Sequence, residues 1–556
     1  MVLGLGCSYA TQIAFHVPYS NCKTYIGGRM ITKVRVLFLF AASLLLLVAT
    51  VYSAPQAPTL TTPDLIEADV ANGVISEETG YLYLSYALFD YESLPEAYHS
   101  NVPWSGTSYI LQLQEAVAEM PASSTTTKIN IALTGTCGSS NASLPSTQNT
   151  THFHVEYGSI GGGLSIGDYA TSLETTWTTE IDSFGWAAPP VLGSNPPPGN
   201  RYHVRVDNLG GGLYGYVTTG GVHAGFVGNN PNTPWNDGDA FASCMVLNDD
   251  YSGFPGSSQQ ALDATTAHEF NHSIQFGYGA LSGGNSAEDV FVEGGATWME
   301  DEVFDAANDN YNYLWPNFGM CMGEYTASPY PYWITFRGLT EQYGAGTPGG
   351  GEQIMQDFLE ETSKGSSENL AALNVALQNK GSNLADAYHN YAIAVKFNKS
   401  CGGGYSYPYC FEEGANYVSA RGQTVVHGNV GSVEGSYSGN VQDNYALNWV
   451  NLPTSGGPYN AYLLNLGGGQ LRGSIVCDTG STLTVTPLDM VAGAAETAVA
   501  GNYDPAGCSS VVAVITNQNQ TAANPSSCTQ RSYIFGVTTG SPPVLDKKVY
   551  LPVILK

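Results

Sequence analysis

The strongest constraint on the fold is a pair of histidines in the segment LDATTAHEFNHSIQFGYG, residues 262–279. His268 and His272 are four positions apart, which places both side chains on one face of a helix. Two imidazoles about one turn apart can occupy two corners of a zinc tetrahedron. Glu269 lies about 100° further around the helix, where its carboxylate can take a proton from a zinc-activated water. The alternative is an amphipathic helix with two ordinary histidines.

A hydrolytic zinc centre needs a third protein ligand and an open fourth position. Glu293, in VFVEGGATWMEDEVF (290–304), is the best candidate, because the 20 residues after His272 allow a turn and a second helix. Two glycines follow it and would permit close approach of the two helices. Glu300 lies two turns further on the same face and is the alternative ligand. The remaining rival ligands, which have no motif, are His223, His389 and His427.

An HExxH helix followed by a glutamate on a second helix resembles the gluzincin clan of zinc peptidases. VEGGATWME (292–300) resembles the NEGFA helix of the aminopeptidase branch, where the first glutamate binds zinc, and this assigns that role to Glu293. The longer run AHEFNHSIQF…EGGATWMEDEVF is similar to a group of exported bacterial metallopeptidases, and the likeness spans roughly residues 64–400. The resemblance implies an α+β fold, with a mixed sheet and a helical subdomain, that binds zinc and cleaves proteins or peptides.

The chain departs from the family pattern at several positions. Thr297 stands where thermolysin-like enzymes place an aspartate that orients a zinc histidine. The aminopeptidase sequence GxMEN is missing, which favours endopeptidase over aminopeptidase action. Gluzincins also use a downstream tyrosine or histidine to stabilise the oxyanion, and the resemblance makes Tyr330 and Tyr332 the candidates.

The N-terminal region has the layout of an export signal. A basic stretch precedes the apolar run 36–51, which ends in small residues, so residues 30–53 are predicted to be a cleavable signal peptide. An uncleaved anchor helix is the alternative. Residues 1–29 are interpreted as a spurious upstream extension, because Met30 begins a normal signal sequence. The protein is therefore predicted to be secreted or at the cell surface.

Cysteine usage agrees with export. Removing the leader leaves eight of the ten cysteines, an even number that fits disulfide bonding. Pairing cannot be deduced from sequence, but Cys401 with Cys410 and Cys508 with Cys528 are plausible local pairs.

Composition divides the mature chain into segments. Residues 54–150 are predicted to contain helices over 64–121, followed by a Ser/Thr-rich linker. The helical part is either a removable pro-region or a permanent part of the fold. Residues 151–400 form the predicted catalytic domain, and 401–424 a linker.

The sequence pattern changes after residue 424, where short runs of alternating apolar and polar residues, such as SVVAVITN, are separated by Gly, Asn and Ser. This pattern predicts an antiparallel β-sandwich over 425–545, a candidate glycan-binding module. Residues 546–556 form a short basic and apolar tail.

The formal net charge of −29 limits the partners. Such an acidic surface repels phosphate backbones and anionic lipids, so nucleic-acid binding is disfavoured. Calcium is a weaker cofactor candidate than zinc, near Asp237 and Asp239 or near Asp249 and Asp250, but neither pair has the spacing of a calcium loop.

Two other functions compete with a secreted zinc endopeptidase. GLSIG (163–167) matches a serine-hydrolase motif around Ser165, but the segment is more typical of a helix cap. A non-catalytic adhesive protein with a degenerate peptidase domain is the more serious rival, and intact Glu269 argues against it. Within the peptidases, a glycoprotein-directed (mucin-directed) enzyme is also compatible with the spacing of the ligands.

Overall fold

The computed structural model describes residues 60–135, 144–281, 289–322, 329–365, 369–493, 496–520 and 528–542. The predicted upstream extension, signal peptide and C-terminal tail lie outside these ranges. Within them, no helix has both the length and the apolar character needed to cross a membrane. Helices and sheets alternate along the described chain, which confirms the α+β class.

From Leu60 onward, four α-helices precede the first described strand: α1 (Thr62–Ala71), α2 (Glu77–Phe89), α3 (Thr107–Glu119) and α4 (Ser124–Gly135). Thr61 caps α1 by accepting a hydrogen bond from the Asp64 amide, one of the amides that a helix start leaves unpaired. Apolar side chains of these helices, such as Leu88 and Ile110, form one cluster with Val246 of the central sheet. The N-terminal helices therefore share a core with the sheet.

The central sheet is mixed and has the strand order β1-β2-β3-β7-β4. Its strands are β1 (Ser146–Asn149), β2 (Phe153–Tyr157), β3 (Tyr202–Asp207), β4 (Gly215–Thr218) and β7 (Cys244–Asn248). Strands β2, β3 and β7 run parallel, whereas β1 and β4 are antiparallel to their neighbours. Two further strands, β5 (Gly225–Gly228) and β6 (Ala240–Ala242), form a separate pair.

A helix with a wider final turn connects β2 to β3. Helix α5 (Ile166–Trp177) continues into a π-helical turn at Thr178–Ser183. Ser165 caps α5, because its amide donates a 2.7 Å hydrogen bond to Asp168, as the cap interpretation of GLSIG predicts. The π turn directs Glu180 into the interior, where it is fully buried.

The longest helix, α6 (Ser258–Gly277), packs on the central sheet and against α7 (Asp289–Val303). Ser257 and Gln260 cap α6 reciprocally, which fixes where the helix begins. Four more α-helices follow along the described chain: α8 (Trp333–Thr340), α9 (Glu352–Ser363), α10 (Asn369–Asn379) and α11 (Leu384–Phe397).

The C-terminal region contains two sheets with strand orders β13-β12-β16-β10-β8, where β14 also pairs with β12, and β15-β11-β17-β9. The strands are β8 (Gly428–Asn429), β9 (Ser436–Gln442), β10 (Ala446–Asn451), β11 (Tyr459–Asn465), β12 (Gln470–Asp478), β13 (Leu483–Pro487), β14 (Val491–Ala492), β15 (Glu496–Tyr503), β16 (Ser510–Asn517) and β17 (Gln530–Thr538). Strand β16 is buried on both faces: Val512 and Val514 join the main core, whereas Ala513 and Ile515 join a cluster between the two sheets. This double burial explains its continuous apolar run.

Both predicted linkers contain folded structure. The Ser/Thr-rich stretch includes α4, because Ile129 and Leu133, four positions apart, are buried on one helical face. The predicted linker 401–424 contains helix α12 (Gly414–Arg421), whose Tyr417 is fully buried. Polar composition concealed the few apolar residues that anchor these segments.

Among the described residues, three disulfide bonds have both partners in place: Cys321–Cys528, Cys401–Cys410 and Cys477–Cys508. The predicted pair Cys401–Cys410 is confirmed, and the predicted pair Cys508–Cys528 is wrong. Strands β12 and β16 pair antiparallel and bring Cys477 close to the start of β16. Cys508 is therefore nearer in space to Cys477, at a Cα distance of 5.4 Å, than its sequence position suggests.

Candidate metal centre

The helix α6 carries His268, Glu269 and His272 in its buried middle. His268 is 4% exposed, and the other two side chains are inaccessible. Helix α7 packs alongside and contributes Glu293, which is also fully buried. Burying four ionisable groups together without compensation is expensive, so their mutual contacts decide what the site can do.

Three ligand atoms converge between the two helices. Nε2 of His268 is 3.1 Å from Nε2 of His272 and 3.1 Å from Oε2 of Glu293. The third distance, from His272 Nε2 to Glu293 Oε2, is 3.4 Å. Zinc bonds of about 2.0–2.1 Å to nitrogen and 2.0–2.2 Å to oxygen place tetrahedral ligand atoms about 3.3 Å apart. His268, His272 and Glu293 thus form a group that could hold a metal ion.

The far side of each imidazole has its own partner. Nδ1 of His268 is 2.7 Å from Oε1 of Glu300, and Nδ1 of His272 is 2.8 Å from Oε1 of Gln275. Both partners are oxygen acceptors, so each Nδ1 carries a hydrogen and donates it. Neutral rings in this tautomer present Nε2 lone pairs to the centre. Glu300 therefore contacts the far side of the His268 ring and does not face the other two ligand atoms, and it gives His268 a carboxylate partner that Thr297 does not provide.

The donor set fits a zinc ion. Two Nε2 lone pairs and a carboxylate oxygen face one another, an arrangement that is repulsive unless a cation lies between them. Oε1 of Glu293 is buried and has no hydrogen-bond partner among the described residues. Burial opposes a positive charge on His268, but hydrogen bonds to Glu293 and Glu300 hold its pKa well above its ordinary range, so these groups favour positive charge at the centre.

Glu269 is held by hydroxyl groups from the N-terminal region. Ser105 Oγ donates to Glu269 Oε1, and Thr107 Oγ1 donates to Oε2, both over 2.8 Å. Thr107 Oγ1 in turn accepts a 2.8 Å hydrogen bond from the Val217 amide. Residues more than one hundred and fifty positions upstream thus fix the carboxylate beside the centre, a relationship with no local signal in the sequence.

The two candidate tyrosines occupy different places. Tyr330 lines a cavity that also borders His268 and Glu269, and its ring centroid is 6.1 Å from that of His268. Burial, with a smaller contribution from Glu293, raises the pKa of Tyr330 well above its ordinary range, so its hydroxyl keeps its proton. Tyr332 is buried in the main core instead.

The cavity also contains residues that the sequence did not single out. They are Ser105, Tyr214, Thr265, Asp309 and Tyr313, and they lie beside Glu300, the alternative ligand of the sequence analysis. Asp309 accepts a 3.2 Å hydrogen bond from the Tyr214 hydroxyl, and burial raises the pKa of Asp309 to about 6. The wall near the centre is therefore aromatic and acidic.

The glycines after Glu293 serve a different contact from the expected one. A Cβ at Gly294 would lie 3.0 Å from Phe336 and 3.2 Å from the Cβ of Tyr332. At Gly295 the Nε2 atom of Gln275 would be 3.8 Å away, an ordinary contact. Gly294 therefore allows close approach to α8 and to the residue just before it. The contact between α6 and α7 does not require glycine.

A buried hydrogen-bond chain extends from the centre to the π turn. Nε2 of Gln275 donates to Asn271 Oδ1 over 3.0 Å, and Asn271 Nδ2 donates to Glu180 Oε2 over 3.4 Å. Burial raises the pKa of Glu180 well above its ordinary range, which leaves this carboxyl protonated.

The other ligand candidates serve structural contacts. Both ring nitrogens of His389 bond to the C-terminal strands, through Thr516 and Ser474, and His427 Nδ1 accepts from the Trp449 amide. His223 lies apart from the buried centre.

The calcium candidates do not gather into an ion site among the described residues. Oxygens of Asp237 accept from Thr233 and Ser363. The acidic group that does come together contains Asp301, Asp305 and Glu413, and Asp301 is ion-paired with Arg337 over 3.2 Å.

Comparison with known proteins adds little to this geometry. No protein-family model matches the chain, and no curated protein matches it. A solved structure titled "Crystal structure of PirA" matches with a TM-score of 0.15 and 15% identity, over 18% of this chain and 92% of that one. Similarity at this level supports no inference about fold or function.

Proposed function

We propose that the protein is a zinc-dependent endopeptidase of the gluzincin type. The observation that carries the proposal is the mutual spacing of 3.1–3.4 Å between two Nε2 atoms and a carboxylate oxygen, with both Nδ1 atoms already occupied. Three protein donors leave a corner for water or substrate, as hydrolytic zinc centres require.

The chemistry follows from the positions of the side chains. When bound, zinc would supply Lewis acidity and lower the pKa of a water molecule. Glu269 would accept the proton of the attacking water and pass it to the leaving amine, while Ser105 and Thr107 keep its oxygens in place. Tyr330, which keeps its proton, would donate a hydrogen bond to the developing oxyanion.

The proposal extends to the domains. Residues 151–400 would form the peptidase domain, and the two C-terminal sheets, which share one hydrophobic cluster, would form the predicted β-sandwich. Action within peptide chains, on secreted or surface substrates, is favoured because the GxMEN sequence that holds a free amino terminus is missing.

A test combines metal content, chelation and one isosteric substitution. Purified protein should contain zinc and hydrolyse casein, and a chelator should abolish hydrolysis until zinc is restored. Glu269→Gln should keep the metal but lower the rate about 100- to 10,000-fold, the usual contribution of a general base. Glu119→Gln, at an exposed position of α3, is the matched control and should behave as the parent protein.

Two outcomes would contradict the proposal. Hydrolysis that survives exhaustive chelation would exclude a metal mechanism. Stoichiometric zinc without hydrolysis of any protein substrate would favour the adhesive or binding protein.

A further inference from the structure

A second group of histidines lies on the central sheet. Successive side chains of a strand point to opposite faces, so the neighbours of the core residues in β2 and β3 point away from α6. The parallel pairing of these strands places His154 beside His203, and Glu156 beside Arg205. His223, from the segment after β4, reaches the same place.

These rings lie close together but are more widely spaced than those of the buried centre. The ring centroids of His203 and His223 are 5.1 Å apart, and those of His154 and His203 are 5.8 Å apart, against 4.7 Å for the two histidines of α6. Glu156 lies among them, with Oε2 3.5 Å from His203 Nε2 and Oε1 3.9 Å from His154 Nε2. Three imidazoles and a carboxylate therefore gather on one surface.

Two of these rings are prepared as ligands. Nδ1 of His154 is 2.7 Å from Oδ1 of Asn149, and Nδ1 of His223 is 2.8 Å from the carbonyl oxygen of Asn195. Since both acceptors are oxygens, each Nδ1 carries the hydrogen and each Nε2 carries a lone pair. Metal-binding histidines are almost always held through the other ring nitrogen in this way.

His203 provides independent support. Its side chain is 1% exposed. Nδ1 has no hydrogen-bond partner among the described residues, and Nε2 faces the Glu156 carboxylate at 3.5 Å. Buried polar atoms are rarely left unsatisfied, so such a ring at the middle of the group indicates a ligand for it.

We propose that His154, His203, His223 and Glu156 form a second site for a divalent transition metal such as zinc. Three imidazole nitrogens and one carboxylate oxygen suit zinc, copper or nickel better than calcium or magnesium. Arg205 lies 3.9 Å from Glu156 Oε2 and is also paired with Asp207 over 2.9 Å, so it adds positive charge nearby. This site should bind more weakly than the buried centre, because its atoms are more widely spaced. It does not depend on peptidase activity.

Metal stoichiometry of the full chain tests the proposal. Metal-free protein is titrated with zinc against a chromophoric chelator, and the parent should bind two equivalents. His223→Asn, on a partly exposed side chain, should bind one equivalent and keep its casein hydrolysis. The double variant His268→Ala/His272→Ala should also bind one equivalent of zinc. The triple variant that adds His203→Ala should bind none.

Cobalt gives a second measurement that does not depend on counting. In the His268→Ala/His272→Ala protein, Co²⁺ should produce visible absorption, and Glu156→Gln should weaken or shift it. Unchanged stoichiometry in His223→Asn, in a protein whose metal-free unfolding midpoint equals that of the parent, would overturn the second site. If the His268→Ala/His272→Ala protein bound zinc and the parent protein showed no hydrolysis, the proposed function would be rejected and this site would be retained.

Discussion

The two histidine groups are built by different kinds of secondary structure. In the buried centre, the four-residue spacing of a single helix brings His268 and His272 together. On the sheet, the register between β2 and β3 brings together His154 and His203, which are far apart in sequence. Helical spacing can be read from a sequence, whereas strand register depends on the whole sheet.

The groups also differ in how they are supported. The rings of the buried centre contact Glu300 and Gln275, and the latter leads through Asn271 to Glu180. In the sheet group, the side-chain oxygen of Asn149 holds His154 and the main-chain carbonyl of Asn195 holds His223. A site with deep support should hold its ligands more rigidly and lose more when a supporting residue is removed.

The largest effect should follow removal of the carboxylate behind His268. Glu300→Ala should lower zinc affinity at the buried centre about 10- to 100-fold, the usual effect of removing such a partner. Glu300→Gln, which still accepts from Nδ1, should restore part of the affinity. Glu119→Ala, at an exposed position of α3, is the control. Competition titrations measure each affinity, and an unchanged value in Glu300→Ala would remove the distinction between the two groups.

A smaller effect should follow loss of the Thr107 hydroxyl. Thr107→Val leaves Glu269 Oε2 and the Val217 amide each without one buried partner, which should lower the free energy of unfolding by about 1–3 kcal/mol. The zinc content should stay unchanged at both sites. Thr127→Val, on the exposed face of α4, should stay within about 0.5 kcal/mol of the parent. Denaturant unfolding measures both, and equal stability would show that the N-terminal region does not support the buried centre.

The smallest effect concerns the far end of the hydrogen-bond chain. Burial raises the pKa of Glu180, so the folded protein keeps a proton that the unfolded chain releases above its ordinary pKa of about 4.3. The contribution of Glu180 to the free energy of unfolding is therefore fully present at low pH and is lost as the pH rises. Glu180→Gln should raise the free energy of unfolding at pH 7 by about 1 kcal/mol or more, because one pKa unit corresponds to about 1.4 kcal/mol. The gain should vanish near pH 4, and an equal gain at both pH values would reject a protonated Glu180.

Local periodicity accounts for most of the successful predictions. The sequence SVVAVITN coincides with β16 (Ser510–Asn517), and HEFNH lies within α6. The same periodicity placed Glu300 on the face of Glu293, but it could not show which ring nitrogen of His268 the carboxylate would meet. That distinction depends on how two helices pack.

The remaining features depend on distant contacts. Ser105 and Thr107 lie 164 and 162 positions before Glu269, and no repeat or spacing connects them. The partner of Cys508 follows from strand pairing between β12 and β16 and not from proximity in sequence. Sequence reasoning brought together the three residues of the candidate metal-binding group because one helix carries two of them, and it missed the groups that hold them in place.

The hydroxyl donors of Glu269 bear on maturation of the protein. A protease that cut away residues 60–135 would take both donors with it and would uncover the sheet face around Val246. The product would have an unsupported carboxylate beside its centre and a newly exposed apolar surface prone to aggregation. If the protein is trimmed at all, a cut that keeps these contacts lies before Leu60.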